Sequence, residues 1–324
     1  MKRKSRWKVA GITLLGIILF IYINNTSLFV TQTDEPTLLA HRGMAQTFPM
    51  EGIEWDTCTA EMINEPEHPY LENTIPSMEA AFQAGADSVE LDVKRTKDNQ
   101  LAVFHDHELS CRTNGKGETT DYTLAELQQL DVGYGYTADE GKSYPFRGKG
   151  VGLMPSLSEV LETFPDKRLL IHIKSSEKED GELLAAYIGG LPLEQQKLIT
   201  AYGDNQPIER LKDRLPELRV MSMDTMKSCM IPYIISGWTG NVPEACKNTQ
   251  IHLPEAYAKW IWGWPHKFVK RMESVHSNVV LVAGDGGWSE GFDSEDDFER
   301  LPVEYEGQIW TNRIEKMAPF IKGE

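Results

Sequence analysis

The sequence predicts a (β/α)₈ barrel with an irregular second unit, preceded by one N-terminal transmembrane or signal helix. Three observations lead there. From residue 36 onward, short apolar runs alternate with amphipathic stretches, the pattern of parallel β/α units. About eight such units fill residues 36–324, the size of one closed barrel. Ahead of them, a basic flank meets an unbroken uncharged run, Val9–Ile23.

Taken in order, the strand candidates are residues 37–41, 88–93, 101–105, 168–174, 197–202, 219–223, 249–253, 279–284 and 307–312. Nine strands exceed a barrel's eight, so one lies outside it. The runs SVELDV and LAVFH leave no room for a helix between them, which makes the second unit irregular. Helix candidates are residues 75–86, 123–130, 156–164, 182–190, 207–215, 254–272 and 296–301. The acidic stretch 290–299 lacks calcium-loop spacing and reads as a solvated loop. The aromatic segment Trp260–Pro265 reads as packing in the barrel's outer layer, with a choline-like headgroup or the membrane interface as alternatives.

Lys2, Arg3, Lys4, Arg6 and Lys8 precede the apolar run without an acid, which places the N-terminus in the cytoplasm and the following domain outside. No small-residue cleavage site follows. Counted through Val30 the segment nears spanning length, so a membrane anchor is expected, with secretion after signal cleavage as the alternative. Residues 1–35 are thus flank, anchor and linker, and residues 36–324 the barrel. The chain carries a net charge of −16, and −19 remains after residues 1–35 are set aside. That charge argues against nucleic-acid binding and against adhesion to bare anionic lipid. Contact with the membrane is expected through the N-terminal segment; the oligomeric state is not legible. Four cysteines without metal-like spacing suggest disulfides in an exported chain, with four buried thiols as the alternative.

Unusual polar residues fall at the strand ends. His41 and Arg42 end the first candidate and His105 the third; Glu90 and Asp92 sit two apart near the end of the second, and His172 and Lys174 end the fourth. Alternation puts Glu90 and Asp92 on one face, and a barrel opens all its C-terminal strand ends onto one mouth. Two carboxylates together call for a hard divalent cation. Arg42 and Lys174 suit an anionic phosphate, and two histidines can serve as acid and base. The combination points to phosphodiester cleavage.

At these residues the chain resembles the glycerophosphodiester phosphodiesterase family. The matching motifs are His41-Arg42-Gly43, Glu72-Asn73-Thr74, Glu90-Leu91-Asp92-Val93, Thr96-Lys97-Asp98 and Val103-Phe104-His105-Asp106, continuing through Arg112–Gly117, Thr123–Leu127, Pro155–Val160 and, at the end, Thr311-Asn312-Arg313. The resemblance implies hydrolysis of a small-molecule glycerophosphodiester to glycerol 3-phosphate and an alcohol, with one divalent ion (Mg²⁺, Ca²⁺ or Mn²⁺). It implies His41 and His105 as the acid/base pair, Arg42 and Lys174 as phosphate contacts, and Glu90 and Asp92 as metal ligands. Glu72, with Asn73, matches a site-supporting position. Which histidine is the base, and whether water or a substrate hydroxyl attacks, stay open.

Three departures stand out. His172 occupies the position of the family's third carboxylate ligand; as a ligand it would favour Mn²⁺ or Zn²⁺ over Ca²⁺. VLVAGDGG replaces the family's W-T-V-N strand, with Trp288 a candidate substitute for the missing aromatic. A long insert, 44–71, bears Cys58 and leaves the same mouth as the loop bearing Cys111. On position we expect Cys58–Cys111 and Cys229–Cys246, the first stapling a lid that narrows substrate choice; an independent surface loop is the alternative. Two other functions remain in view, phospholipase D-like cleavage of lysophospholipids and a non-catalytic phosphodiester-binding protein.

Overall fold

The computed structural model describes residues 2–30, 35–54, 57–287 and 290–323. Trp288 lies outside the described residues. Among the described residues the nine strands are β1 (Thr37–Ala40), β2 (Ser88–Arg95), β3 (Leu101–Val103), β4 (Arg168–Ile173), β5 (Ile199–Gly203), β6 (Arg219–Met221), β7 (Gln250–Pro254), β8 (Asn278–Val282) and β9 (Gln308–Thr311). Eight run parallel in the order β6-β5-β4-β2-β1-β9-β8-β7. A bridge between Val220 and Thr249 nearly closes the ring at the β6/β7 seam. The ninth, β3, pairs antiparallel with β2 outside the ring, so it is the surplus strand and the cause of the irregular second unit.

Local chemistry sets the elements that carry the mouth. The helix Ile75–Gln83 starts at a reciprocal cap between Thr74 and Ser77, with Pro76 in its first turn. Gly43 packs on that start at φ +77°, where a Cβ would stand 2.6 Å from Ser77 Oγ. Only glycine fits the turn that follows His41 and Arg42. The main core lies between strands and helices, with Leu38, Val89, Leu91, Ile171, Ala201 and Ile309 among its strand residues. A second cluster joins Ala60, Ile63 and Leu71 of the insert to Phe104, Leu109, Tyr136 and Met154. The insert is therefore packed onto the loops after β3 rather than being an independent surface loop. Disulfides join Cys58 to Cys111 and Cys229 to Cys246.

One helix expectation needs correction, and two helices were not expected. The span 254–272 is broken into Glu255–Ala258 and His266–Glu273. Gly263 takes a left-handed φ of +81°, and Pro265 has no N–H to continue the ladder. The helix Met223–Ser236, capped by Ser222 and Thr225, was not anticipated, because it is apolar on more than one face. A C-terminal helix, Ile314–Lys322, was also missed.

The N-terminal helix α1 (Lys2–Asn25) stands free of the barrel along most of its length. Its segment Trp7–Asn25 is long and apolar enough to cross a membrane.

Candidate active site

Register gathers the strand-end residues. In β2, Val89, Leu91 and Val93 face the helices, which turns Glu90 and Asp92 into the barrel. Parallel pairing then sets Asp92 beside His172 on β4, and His172 beside Tyr202 on β5. Glu90, Asp92 and His172 each offer a ligand atom within 4.8 Å of the others. His172 Nδ1 lies 3.0 Å from Asp92 Oδ1 and 3.8 Å from Glu90 Oε1.

Burial, then the charge of Asp92, pushes the Glu90 carboxyl up to about 8. Burial works to raise Asp92 too, but Arg42, His105 and Lys174 outweigh it and hold Asp92 well below the carboxylate range. Burial brings His172 down to about 4, leaving a neutral ring with a lone pair to offer. Two buried carboxylates, one short of compensating charge, and a neutral imidazole form a donor set that fits a divalent ion.

Each catalytic candidate among the histidines has one ring nitrogen fixed. Asn312 Nδ2 donates to Asp293 Oδ2 at 2.8 Å, so its Oδ1 must accept from His41 Nδ1, 2.6 Å away. His41 Nε2 is then the free nitrogen, 3.8 Å from Glu90. His105 Nδ1 donates to Asp106 Oδ1 at 2.7 Å, and Arg112 Nη1 holds the other oxygen at 2.8 Å. Burial opposes ionisation of Asp106, but Arg112 and the His105 hydrogen bond prevail and keep it a carboxylate. Burial and then Arg42 lower both histidines, His41 the further of the two.

Arg42, at a left-handed φ of 58°, reaches Asp92 at 3.1 Å and Glu72 at 2.9 Å. Lys174 lies 3.9 Å from Asp92. Glu72 stands outside the ligand cluster, bridging Arg42 and Arg112. Asn73 donates to Asp92 Oδ2 and accepts from the Asp92 N–H, so it orients that carboxylate. A cavity of about 500 Å³ opens above these residues, with Phe48, Met50 and Ile53 of the insert forming an apolar wall.

Several participants escaped sequence reasoning. Tyr202 donates to Glu90 at 2.7 Å and stacks on His172 at 4.0 Å. Its place two residues after Thr200, at a strand end, was the available signal. Arg112 ties Asp106 and Glu72 to Thr59 of the insert. Asp293 belongs to the acidic stretch read as solvated, yet it accepts from Asn312 and Thr311. Of the aromatic segment, Trp264 packs on Phe268 and Tyr305, in keeping with the outer-layer reading, whereas Trp260 and Trp262 remain exposed.

Oriented histidines, two cations and a carboxylate–imidazole cluster at one barrel mouth define a site built to handle phosphate esters. Residues 41–184 match the Glycerophosphoryl diester phosphodiesterase family. A glycerophosphodiester phosphodiesterase of Caldanaerobacter subterraneus subsp. tengcongensis is 40% identical over 103 residues, 32% of this chain and 39% of that protein. One from Bacillus altitudinis is 33% identical over 165 residues, 48% of this chain and 63% of its own length. The chain thus spans less than two thirds of either relative. In fold it is similar to an Oleispira antarctica phosphodiesterase solved with the product sn-glycerol-3-phosphate, at 20% identity and a TM-score of 0.56, covering 90% of this chain and 98% of the other.

Proposed function

We propose that the chain is a metal-dependent glycerophosphodiester phosphodiesterase that releases glycerol 3-phosphate and an alcohol. The observation that carries this reading is the pair of histidines, one Nδ1 held by a neutral amide oxygen and the other by a carboxylate, facing one cavity beside Arg42 and Lys174. His41, the more strongly lowered of the two, stays neutral and offers Nε2 as the base. His105, backed by the Asp106 carboxylate, is the better holder of a proton and serves as the acid. His41 takes the proton of the attacking water or glycerol hydroxyl as the new P–O bond forms. The P–O bond to the alcohol breaks, and His105 Nε2 protonates the departing oxygen. With the glycerol hydroxyl as nucleophile, water then opens the cyclic phosphate, the histidines exchanging roles. Arg42 and Lys174 hold the non-bridging oxygens, while Asn73 and Tyr202 keep the carboxylates aimed. Glu90, Asp92 and His172 would hold a divalent ion, which supplies Lewis-acid stabilisation of phosphoryl charge.

The test is release of glycerol 3-phosphate from glycerophosphocholine by the full chain, in chelator and then with Mg²⁺, Ca²⁺ or Mn²⁺ restored. Metal-dependent release that is lost in both His41→Ala and His105→Ala is expected; turnover undiminished in either variant refutes the pair. The apolar wall of Phe48, Met50 and Ile53 favours a second reading, cleavage of lysophospholipids. Activity on micellar lysophosphatidylcholine but not on glycerophosphocholine would select it.

The same reading includes location. The apolar helix α1 serves as an uncleaved anchor, with the barrel outside the cytoplasm. Basic side chains meeting the last carbonyls of α1 support retention, and two disulfides suit an oxidising compartment.

A further inference from the structure

The end of α1 is bonded to one particular face of the barrel. Asn24 and Asn25 donate through Nδ2 to the Trp238 carbonyl at 3.0 and 2.8 Å. Lys267 Nζ and Arg271 Nη2 donate to the Asn24 carbonyl at 3.0 and 2.8 Å. Trp238 lies in the connection from the helix Met223–Ser236 to β7. A connection that leads from a helix to the next strand lies at the N-terminal ends of the strands, which is the base, opposite the mouth. The chain also enters β1 from its N-terminal end, so the anchor and its first strand meet at the same level.

The surface beside this exit changes character along one helix. Near its start, the helix Met223–Ser236 exposes Asp224, Lys227 and Ser228 beside one apolar side chain, Met223. Toward its end it exposes Ile231, Ile234 and Ile235, at 55%, 54% and 71%. Their i, i+3, i+4 spacing makes one stripe. Trp262, 37% exposed, donates its indole N–H to the Ile234 carbonyl, and Tyr233 donates to the Trp262 carbonyl. Arg271 bonds both Tyr233 and the end of α1, so the apolar stripe and the exit are one connected block.

We propose that Ile231, Ile234, Ile235 and Trp262 form a bilayer-contact surface that seats the barrel base-down on the membrane, with its mouth toward water. The inference rests on the reading of α1 as a membrane anchor. Lipid is the occupant because the stripe continues the apolar surface of α1 at the point where that helix leaves the barrel. Charge does not draw it there, since the barrel region carries −19; the contact is apolar, with a tryptophan at the level where its ring suits the interface. A mouth at the opposite end of the barrel meets substrates dissolved in water. That orientation favours the water-soluble substrates of the proposed function over acyl-bearing lipids of the leaflet beneath.

All four cysteines are held in disulfides, so an introduced cysteine is the single thiol for a nitroxide label. The full chain carrying Ile235→Cys, Ser228→Cys or Ile18→Cys would be placed in phosphatidylcholine nanodiscs, and label relaxation by oxygen and by a water-soluble nickel chelate compared. Position 18 deep in lipid, position 235 oxygen-favoured and position 228 nickel-favoured are expected. A nickel-favoured label at 235, with 18 in lipid, overturns the seating and leaves the anchor. A label at 235 shielded from both reagents overturns it in favour of contact with a second copy. A nickel-favoured label at 18 overturns the anchor reading itself, and the seating with it.

Discussion

Replacing Asn312 by leucine removes the acceptor that holds His41 Nδ1–H and the donor to Asp293 Oδ2, while the imidazole ring and Glu90 are unchanged. In the proposed role, His41 would become an imidazolium as it takes the proton of the nucleophile, and the 2.6 Å contact would become a hydrogen bond to a charged donor. Such a bond contributes about 1.5–3 kcal/mol, which at about 1.36 kcal/mol per decade is a loss of about 10- to 150-fold in kcat/KM. Asn312→Asp tests the same contact with the opposite electrostatics. A carboxylate facing Nδ1 raises the His41 pKa, and the acid limb of kcat/KM, which marks a base losing its proton, then moves to higher pH. The assay is glycerol 3-phosphate release from glycerophosphocholine across pH 5–9, with circular dichroism to verify the fold of each variant. Wild-type kcat/KM in Asn312→Leu, together with an unmoved acid limb in Asn312→Asp, would show that Asn312 does not position the base.

Reducing Cys58–Cys111, which closes a 53-residue separation, should lower the unfolding free energy by about 4 kcal/mol on the chain-entropy relation. Because the insert lines the cavity, KM should rise as well; denaturant titration and kinetics of the Cys58→Ser, Cys111→Ser variant check both, and an unchanged KM separates the insert from substrate binding. His252, packed between a tilted Tyr202 ring and the edge-on Trp310, is held near 3 by burial and then by His172. The unfolded ring titrates near 6.5, so below that pH only the unfolded state takes up the proton, and stability falls by about 2 kcal/mol by pH 5. His252→Gln should lose that much less between pH 7 and 5 in denaturant titrations, and an identical loss refutes the buried neutral ring. His172→Glu adds a third carboxylate beside Glu90 and Asp92, so the metal-free protein should melt lower and gain more from added Mg²⁺ or Ca²⁺. Equal metal-induced melting shifts in the variant and the wild type would remove His172 from the donor set.

Much of the site was legible because its residues stand on or just past the parallel strands. Period-two alternation and a common mouth suffice to gather His41, Glu90, Asp92, His172 and Lys174 without knowing how the strands pair, whereas His105 follows the antiparallel β3, to which that rule does not apply. Tyr202 obeys the same rule and was overlooked only because tyrosine also suits a strand interior. Arg112, Thr59 and Asp293 lie on loops, where no period relates sequence position to direction; packing of the insert against the segment after β3 decides where they point. The helix Met223–Ser236 was hidden for a different reason. Cys229 and Tyr233 face the core while isoleucines face outward, so no polar stripe reveals the helical period.

The placement of histidine at 172 changes the charge around the donor set. Glu72, Glu90, Asp92 and Asp106 stand there with Arg42, Arg112, Lys94 and Lys174, four acids against four bases, and Glu54 and Asp293 also line the cavity. With all eight ionised that group is neutral before any ion enters, and Glu90 relieves the residual crowding by keeping a proton up to about pH 8. With a divalent ion displacing that proton, histidine at 172 would leave the site one positive charge richer than a third carboxylate would. A phosphodiester brings one negative charge and gathers a second as the attacking oxygen bonds, so the added positive charge favours the transition state over the bound substrate. On this argument His172 weakens the hold on the ion and strengthens the hold on developing phosphoryl charge.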